Sequence, residues 1–186
     1  MRTAALILAA GASRRFGSPK QLARIGGRTM LEHVAATARD AGLDPIIVVV
    51  PPGLAVPVDT VPIVNGHPDA GISRSLQLGI AAVEPGVDAA VILLGDEPML
   101  TTDAIRSVLD AARGGVDIVA SGVGERVGPP VLLRRGAFGV ASQAEGDEGL
   151  GPLLRSLQGV RIVAIDEDPF DVDTPADLAR LDQPDR

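Results

Sequence analysis

Short apolar runs alternate with amphipathic stretches along most of the chain. Ala4–Leu8, Pro45–Val50, Val61–Val64 and Ala89–Leu94 are almost continuously apolar, as strands covered on both faces are. After the capping-box sequence that starts at Thr29, Leu31, Val34, Ala35 and Ala38 recur at helical spacing until Gly42 ends the pattern. Residues Ser73 to Val83 form a second predicted helix. Thr102 opens a third, with Ile105, Val108, Leu109 and Ala112 as its core face. Asp117–Ala120, Val131–Leu133 and Arg161–Ile165 read as later strands. Thr174, Pro175 and Asp177 mark the start of a last helix. This alternation predicts an α/β fold, a three-layer α/β/α sandwich around a mostly parallel sheet, in one domain over residues 1–186. No repeat is visible. Ligands of such folds gather beyond the carboxyl ends of the strands, where each polar motif below falls.

The first predicted strand runs into LAAGASRRFGSPK, residues 8–20. Small residues at Ala9, Ala10, Gly11, Ala12 and Ser13 let backbone N–H groups approach a polyphosphate closely. Arg14, Arg15 and Lys20 add charge that backbone dipoles cannot supply. Neither the GxxxxGK[ST] phosphate loop nor the dinucleotide GxGxxG is present. A Gly-rich turn with solvated arginines is the plainer alternative, but three cations behind an opening strand favour phosphate.

Two acidic patches follow. Asp96, beside Glu97 and Pro98, tips the strand that ends at Leu94, a position suited to a hard divalent cation shared with substrate phosphates. Asp171 and Asp173 alternate along an extended stretch, so both side chains share one face. Residues 65–75, NGHPDAGISRS, form a loop running into a helix. There Ser73 and Ser75 can cap the helix or meet a ligand. His33 and His67 are too few for a zinc site, and no nucleophile elbow appears.

The opening motif resembles that of nucleotidyltransferases that couple a nucleoside triphosphate to a phosphorylated acceptor. Four further patches fall in the same order as in those proteins: GISRSL at 71–76, LGDEP at 94–98, GPPV at 128–131 and DVDTP at 171–175. Within that superfamily the chain is most similar to the molybdenum cofactor cytidylyltransferases of the MobA-like NTP transferase family. The resemblance implies a Rossmann-like sheet of the nucleotide-diphospho-sugar transferase type. It also implies a nucleotide bound by the 8–13 stretch from Leu8 onward. Asp69 and Ala70 would meet the base edge, and Ser75 the base or ribose. Arg15 and Lys20 would be catalytic, with Mg²⁺ (or Mn²⁺) held by Asp96 and by Asp171 or Asp173. The donor would be CTP rather than GTP, because the methyl group of Ala10 narrows the base slot where a Gly accompanies guanylyl transfer. The acceptor would be a phosphorylated small molecule, molybdopterin in the nearest relatives. Those relatives read Gly-His-Pro-Val and Gly-Asp-x-Gly-Ala-Arg where this chain has Pro129 and Leu150-Gly151. Arg134, Arg135 or Arg155 are then the candidates to restore the missing positive charge. A sugar-phosphate, polyol-phosphate or phospholactate transferase, or a nucleotide-binding regulator without turnover, are the rival readings.

Composition narrows the field further. A balance of 17 basic to 24 acidic residues, net −7, with three Phe as the only aromatics, offers no basic face or stacking platform for nucleic acid. Cysteine is absent, which excludes thiolate chemistry and agrees with a cytoplasmic protein. The apolar N-terminal run is short, Ala-diluted and followed by arginines, so it reads as a strand and not as a signal peptide or membrane span.

Overall fold

In the computed structural model the described residues are 1–11, 16–17, 19–147, 150–165, 172 and 174–181. The elements run β1 (Thr3–Leu8), β2 (Arg24–Ile25), β3 (Arg28–Thr29), α1 (Met30–Asp40), β4 (Ile46–Val50), β5 (Val61–Val64), α2 (Ile72–Ala81) and β6 (Ala89–Leu94). They continue with α3 (Thr102–Ala111), β7 (Ile118–Val123), β8 (Arg126–Arg134), α4 (Gly151–Ser156), β9 (Val160–Ala164) and α5 (Pro175–Leu181). Among the described residues no helix is long and apolar enough to cross a membrane.

Seven strands form one sheet in the order β5-β4-β1-β6-β8-β7-β9, and β2 pairs with β3 in a separate hairpin. All neighbours in the large sheet are parallel except that β8 runs antiparallel to both β6 and β7. Every residue of β1 is buried because the strand is central and covered on both sides. Its pleat divides the core. Ala5 and Ile7 pack with Leu31 and Val34 of α1 and Ile105 and Val108 of α3. Ala4, Leu6 and Leu8 pack with Leu76 of α2 and Leu154 of α4. This is the expected three-layer sandwich. At Gly79 a Cβ would lie 2.2 Å from a methyl of Leu6, so the absent side chain lets α2 lie directly on β1.

The local helix signals hold. Glu32 N–H donates to the Thr29 hydroxyl (3.1 Å) while Thr29 N–H donates to the Glu32 carboxylate (2.6 Å), which closes the capping box on α1. Thr174 and Asp177 make the reciprocal pair at the start of α5.

One expectation changes. The strand expected over Val131–Leu133 is longer and takes in the GPPV patch: residues 126–134 form a continuous strand that makes a hairpin with β7. Proline lacks a ladder donor and is normally confined to strand edges and bulges. Here the register shifts between Ala120 and Ser121, opposite the prolines. The Ser121 hydroxyl reaches the carbonyls of Gly128 (2.9 Å) and Pro129 (2.7 Å), within the irregular stretch.

Candidate active site

The carboxyl ends of β1, β4, β5 and β6 meet along one edge. Ala9 N–H donates to Val49 O (2.8 Å), Gly95 N–H to Leu8 O (2.9 Å) and Asn65 N–H to Val50 O (2.8 Å). A Cβ on Gly95 would fall 2.8 Å from the Cβ of Ala9, so only glycine lets the β6 tip lie against the opening loop. The next residue, Asp96, is thereby delivered to Lys20. Its carboxylate lies 2.6 Å from Nζ of Lys20, and both side chains are largely buried. Lys20 belongs to a short 3₁₀ turn, residues 20–22. Its neighbour Gln21, also buried, donates to the carbonyl of Gly11 (3.2 Å) and so ties the turn back to the loop. Ala9 and Ala10 are buried and Gly11 is exposed. The Ala10 methyl packs in the apolar cluster that contains Leu76 and Val49.

The second loop follows β5. Asn65 is fully buried and bonds both Ser75 and the backbone of His67. Asp69 and Ala70 are exposed on a short 3₁₀ turn, and Ser75 is buried in the first turn of α2. Neither serine caps α2, contrary to one of the two roles expected for them. The main chain does that instead, since Ser73 N–H donates to the carbonyl of Gly146 (3.1 Å). Gly71, at φ 91°, lies so close that a Cβ would meet the Gly146 carbonyl carbon at 2.4 Å. The 144–147 loop is thus pressed onto the 65–71 loop. His33 is bonded to the carbonyl of Ile25 (2.9 Å) and serves the fold.

Beside these loops a cleft of about 260 Å³ opens on the α2 and α4 face. Leu8, Leu76, Leu94, Val127 and Leu150 make its apolar wall; Glu97, Ser121, Arg126 and Asp147 are its polar lining. Gly128, Pro129 and Gly151 line it too, so the two patches read as the acceptor side do come together. Gly151 stands where relatives are expected to carry Arg, and a Cβ there would be 2.9 Å from Val127 O; close packing of the loop on β8 is what this residue provides. Two of the compensating arginines are elsewhere. Because β8 is antiparallel, Arg134 and Arg135 emerge at the opposite end of the sheet. There Arg134 donates to the carbonyls of Val116 and Ala112, and Arg135 to those of Val87 and Glu84. Arg155 is exposed on α4. Among the described residues Arg126 is the basic side chain in the cleft lining.

The described residues and this geometry agree with what the chain is similar to. The family model "MobA-like NTP transferase domain" matches residues 5–161. This chain belongs to the MobA-like NTP transferase domain family. A 2-C-methyl-D-erythritol 4-phosphate cytidylyltransferase from Streptomyces avermitilis is 33% identical over 131 residues, which cover 63% of this chain and 52% of that protein. The chain therefore spans about half the length of that curated relative. Rv0371c from Mycobacterium tuberculosis is 31% identical, with a TM-score of 0.84 and 98% of each chain covered. A manganese complex of the same mycobacterial protein is 30% identical at a TM-score of 0.80, covering 97% of this chain and 98% of that one.

Within this member of the MobA-like family, several expected site residues lie outside the described ones: Ala12, Ser13, Arg15, Asp171 and Asp173. Val172, between the two aspartates, is described. It is fully buried and its N–H donates to Asp96 O (3.1 Å), which joins that motif to the β6 tip. Among the described residues no three acidic or imidazole side chains gather as a metal cluster. Sequence reasoning missed Asn65, Gln21, Ser121 and Arg126, all ordinary polar residues whose positions depend on neighbours distant in the chain. Glu97, which the sequence marks only as the neighbour of Asp96, is buried, at 3% exposure, and lines the cleft.

Proposed function

We propose that this chain transfers a nucleoside monophosphate, CMP from CTP, to a phosphorylated small-molecule acceptor and releases pyrophosphate. The observation that carries this reading is the buried contact of Lys20 with Asp96 where the opening loop meets the tip of β6. An acceptor phosphate oxygen attacks the α-phosphorus of CTP. The new P–O bond forms as the bond to the bridging oxygen of the leaving pyrophosphate breaks. The attacking phosphate is already ionised, so the protein supplies position and charge in place of a nucleophile. The small residues from Leu8 to Ser13 receive the triphosphate, and Lys20, together with Arg15, neutralises charge as it moves onto pyrophosphate.

Asp96 suits a divalent cation on this structure's own terms. It is a hard oxygen donor, partly open to solvent, and an ammonium already stands on it as a substitute cation. Mg²⁺ would be held there with Asp171 or Asp173, which flank the residue bonded to the Asp96 backbone. Mn²⁺ would serve in its place, a reading supported by the manganese complex of a relative. When bound, the ion screens phosphate charge and polarises the α-phosphate.

CTP is favoured as donor because the cytidylyltransferase relative is 33% identical and because the Ala10 methyl stands beneath the loop. Molybdopterin remains the favoured acceptor. A flat heterocycle matches an apolar cleft better than a sugar or polyol phosphate does. The activity is assigned to one domain that works in the cytoplasm. A thermal-shift panel of the four triphosphates with Mg²⁺, followed by pyrophosphate release with CTP and candidate acceptors, tests the reading. CTP should give the largest shift, and a GTP preference would remove the cytidylyl assignment.

A further inference from the structure

The polar side chains that line the cleft divide by burial. Arg126 and Asp147 are exposed, whereas Glu97 and Ser121 are buried, at 3% and 2% exposure. The Ser121 hydroxyl lies within hydrogen-bond reach of the carbonyls of Gly128 and Pro129. A carbonyl can only accept, so the single proton of Ser121 is committed to the β8 backbone. What Ser121 can offer a ligand is a lone pair. Glu97 offers the same, since a carboxylate accepts and does not donate. The buried polar side chains of the cleft are therefore acceptors, set among the apolar walls of Leu8, Leu76, Leu94 and Leu150. A carboxylate has about four lone-pair sites, so bonds made within the protein leave it capacity for incoming donors. The backbone of Glu97 is held in a tight turn. Its N–H donates to Leu94 O (3.5 Å), and Leu100 N–H donates to Glu97 O (3.1 Å). The preceding side chain, Asp96, goes to Lys20 instead, so two consecutive carboxylates serve two different places.

Resting on the nucleotidyltransferase reading above, we infer that Glu97 is a specificity-determining residue for the acceptor, taking two adjacent N–H donors on the edge of a planar heterocycle. The two oxygens of one carboxylate match two parallel N–H groups, as they do in bidentate pairs with guanidinium. A ring that contains a cyclic guanidine, N–H beside NH₂, presents that edge, and its faces lie against the leucines. At about 260 Å³ the cleft is small beside ligand pockets, which run from about 300 Å³ upward, so it suits one ring system and not the whole acceptor. The acceptor phosphate stays outside, at the strand tips with Lys20, away from the charge of Glu97. A ring with a carbonyl in place of the amino group would set oxygen against oxygen, which is how polar pockets reject analogues.

Two pteridines of the same shape test this. Pterin, 2-amino-4-oxopteridine, carries the donor pair, and lumazine, 2,4-dioxopteridine, has a carbonyl where pterin has the amino group. Binding of each is followed by pteridine fluorescence with CTP and Mg²⁺ present, on the native chain and on Glu97→Gln. The native chain should prefer pterin about tenfold, the size of one hydrogen bond. The amide of Glu97→Gln accepts through its oxygen and donates through its nitrogen, the pattern complementary to lumazine. In that variant the preference for pterin should be lost or reversed, a change that a merely structural role would not produce. CTP affinity, measured by calorimetry, should be unchanged. Should Glu97→Gln fail to fold, the native preference for pterin carries the test by itself. Equal binding of the two pteridines by the native chain, an unchanged preference in the variant, or a fall in its CTP affinity would overturn the inference and leave the wider reading intact. So would a native chain that binds CTP and neither pteridine. A native chain that binds none of the four triphosphates would instead overturn that wider reading.

Discussion

From β5 to β6 the sheet is parallel, and its polar residues arrive on loops that leave the strand tips: Gly11 and Lys20 after β1, Asn65 after β5, Asp96 after β6. From β8 to β9 one side of the cleft is supplied by a strand running the other way, with Val127, Gly128 and Pro129 inside it. The difference separates two jobs. Loops at the ends of parallel strands can converge charges on one point, and here they bring Lys20 within 2.6 Å of Asp96. A hairpin cannot converge charges in that way, but it offers an extended apolar surface of fixed shape. The Lys20–Asp96 pair comes from the parallel half, whereas the hairpin completes a cleft wall that Leu8, Leu76 and Leu94 begin.

If that division is right, the largest effect belongs to the charged half. Asp96→Asn should abolish Mg²⁺-dependent pyrophosphate release while circular dichroism shows the fold intact, since the amide oxygen can still accept from Lys20. Near-normal turnover would show that Asp96 holds no essential cation. Next come Lys20→Ala and Arg15→Ala. Each should lower the maximal rate about 10²-fold, or ~3 kcal/mol, more than it weakens CTP binding. Weaker binding at an unchanged rate would make them clamps on the bound triphosphate. The shaping half is probed by Leu150→Asp, which puts a carboxylate into the apolar wall of the cleft. The KM for the acceptor should rise about tenfold, the worth of roughly one lost apolar contact, with CTP affinity preserved. Loss of CTP affinity would show that the cleft is part of the nucleotide site.

The smallest effect lies outside both halves, at the cap of α1. Thr29→Ala should lower stability by ~1 kcal/mol in a urea titration and leave kinetic constants alone. The partner carboxyl of Glu32 is held below its ordinary value, first by the hydrogen bond from Thr29 N–H and then by the Thr29 hydroxyl. A depressed carboxyl stabilises the folded chain above its unfolded pKa, and that contribution fades as pH falls through the lower folded value. The difference between native and Glu32→Gln should therefore be present at neutral pH and vanish in acid.

Much of the charged half was legible because its signals are local. Apolar runs marked β1, β4, β5 and β6, Thr29 and Glu32 marked a helix start, and Gly11, Lys20 and Asp96 stood beside strand ends. The hairpin half was harder to read. Two prolines interrupt the pattern of β8, and the bulge that accommodates them is set by Ser121, seven residues before Gly128. The arginines expected to restore charge at the acceptor side followed a strand whose direction was not apparent, so they emerge at the wrong end. Glu97 stood only as a neighbour of Asp96 in the sequence, and the turn after β6 brings it to the cleft.

What the residues alone determined is the list of layers and the chemistry available to them. Hydrophobic periodicity is a property of a segment and its own neighbours, so it survives without knowledge of contacts. What only the tertiary structure decided is which groups meet, and with which polarity. Lys20 and Asp96 are 76 positions apart and become an ion pair because Gly95 lets two strand tips touch. Ser75 becomes an acceptor because a backbone N–H at His67 turns the amide nitrogen of Asn65 toward it. A hydrogen bond has direction, and direction is settled by the packing around it.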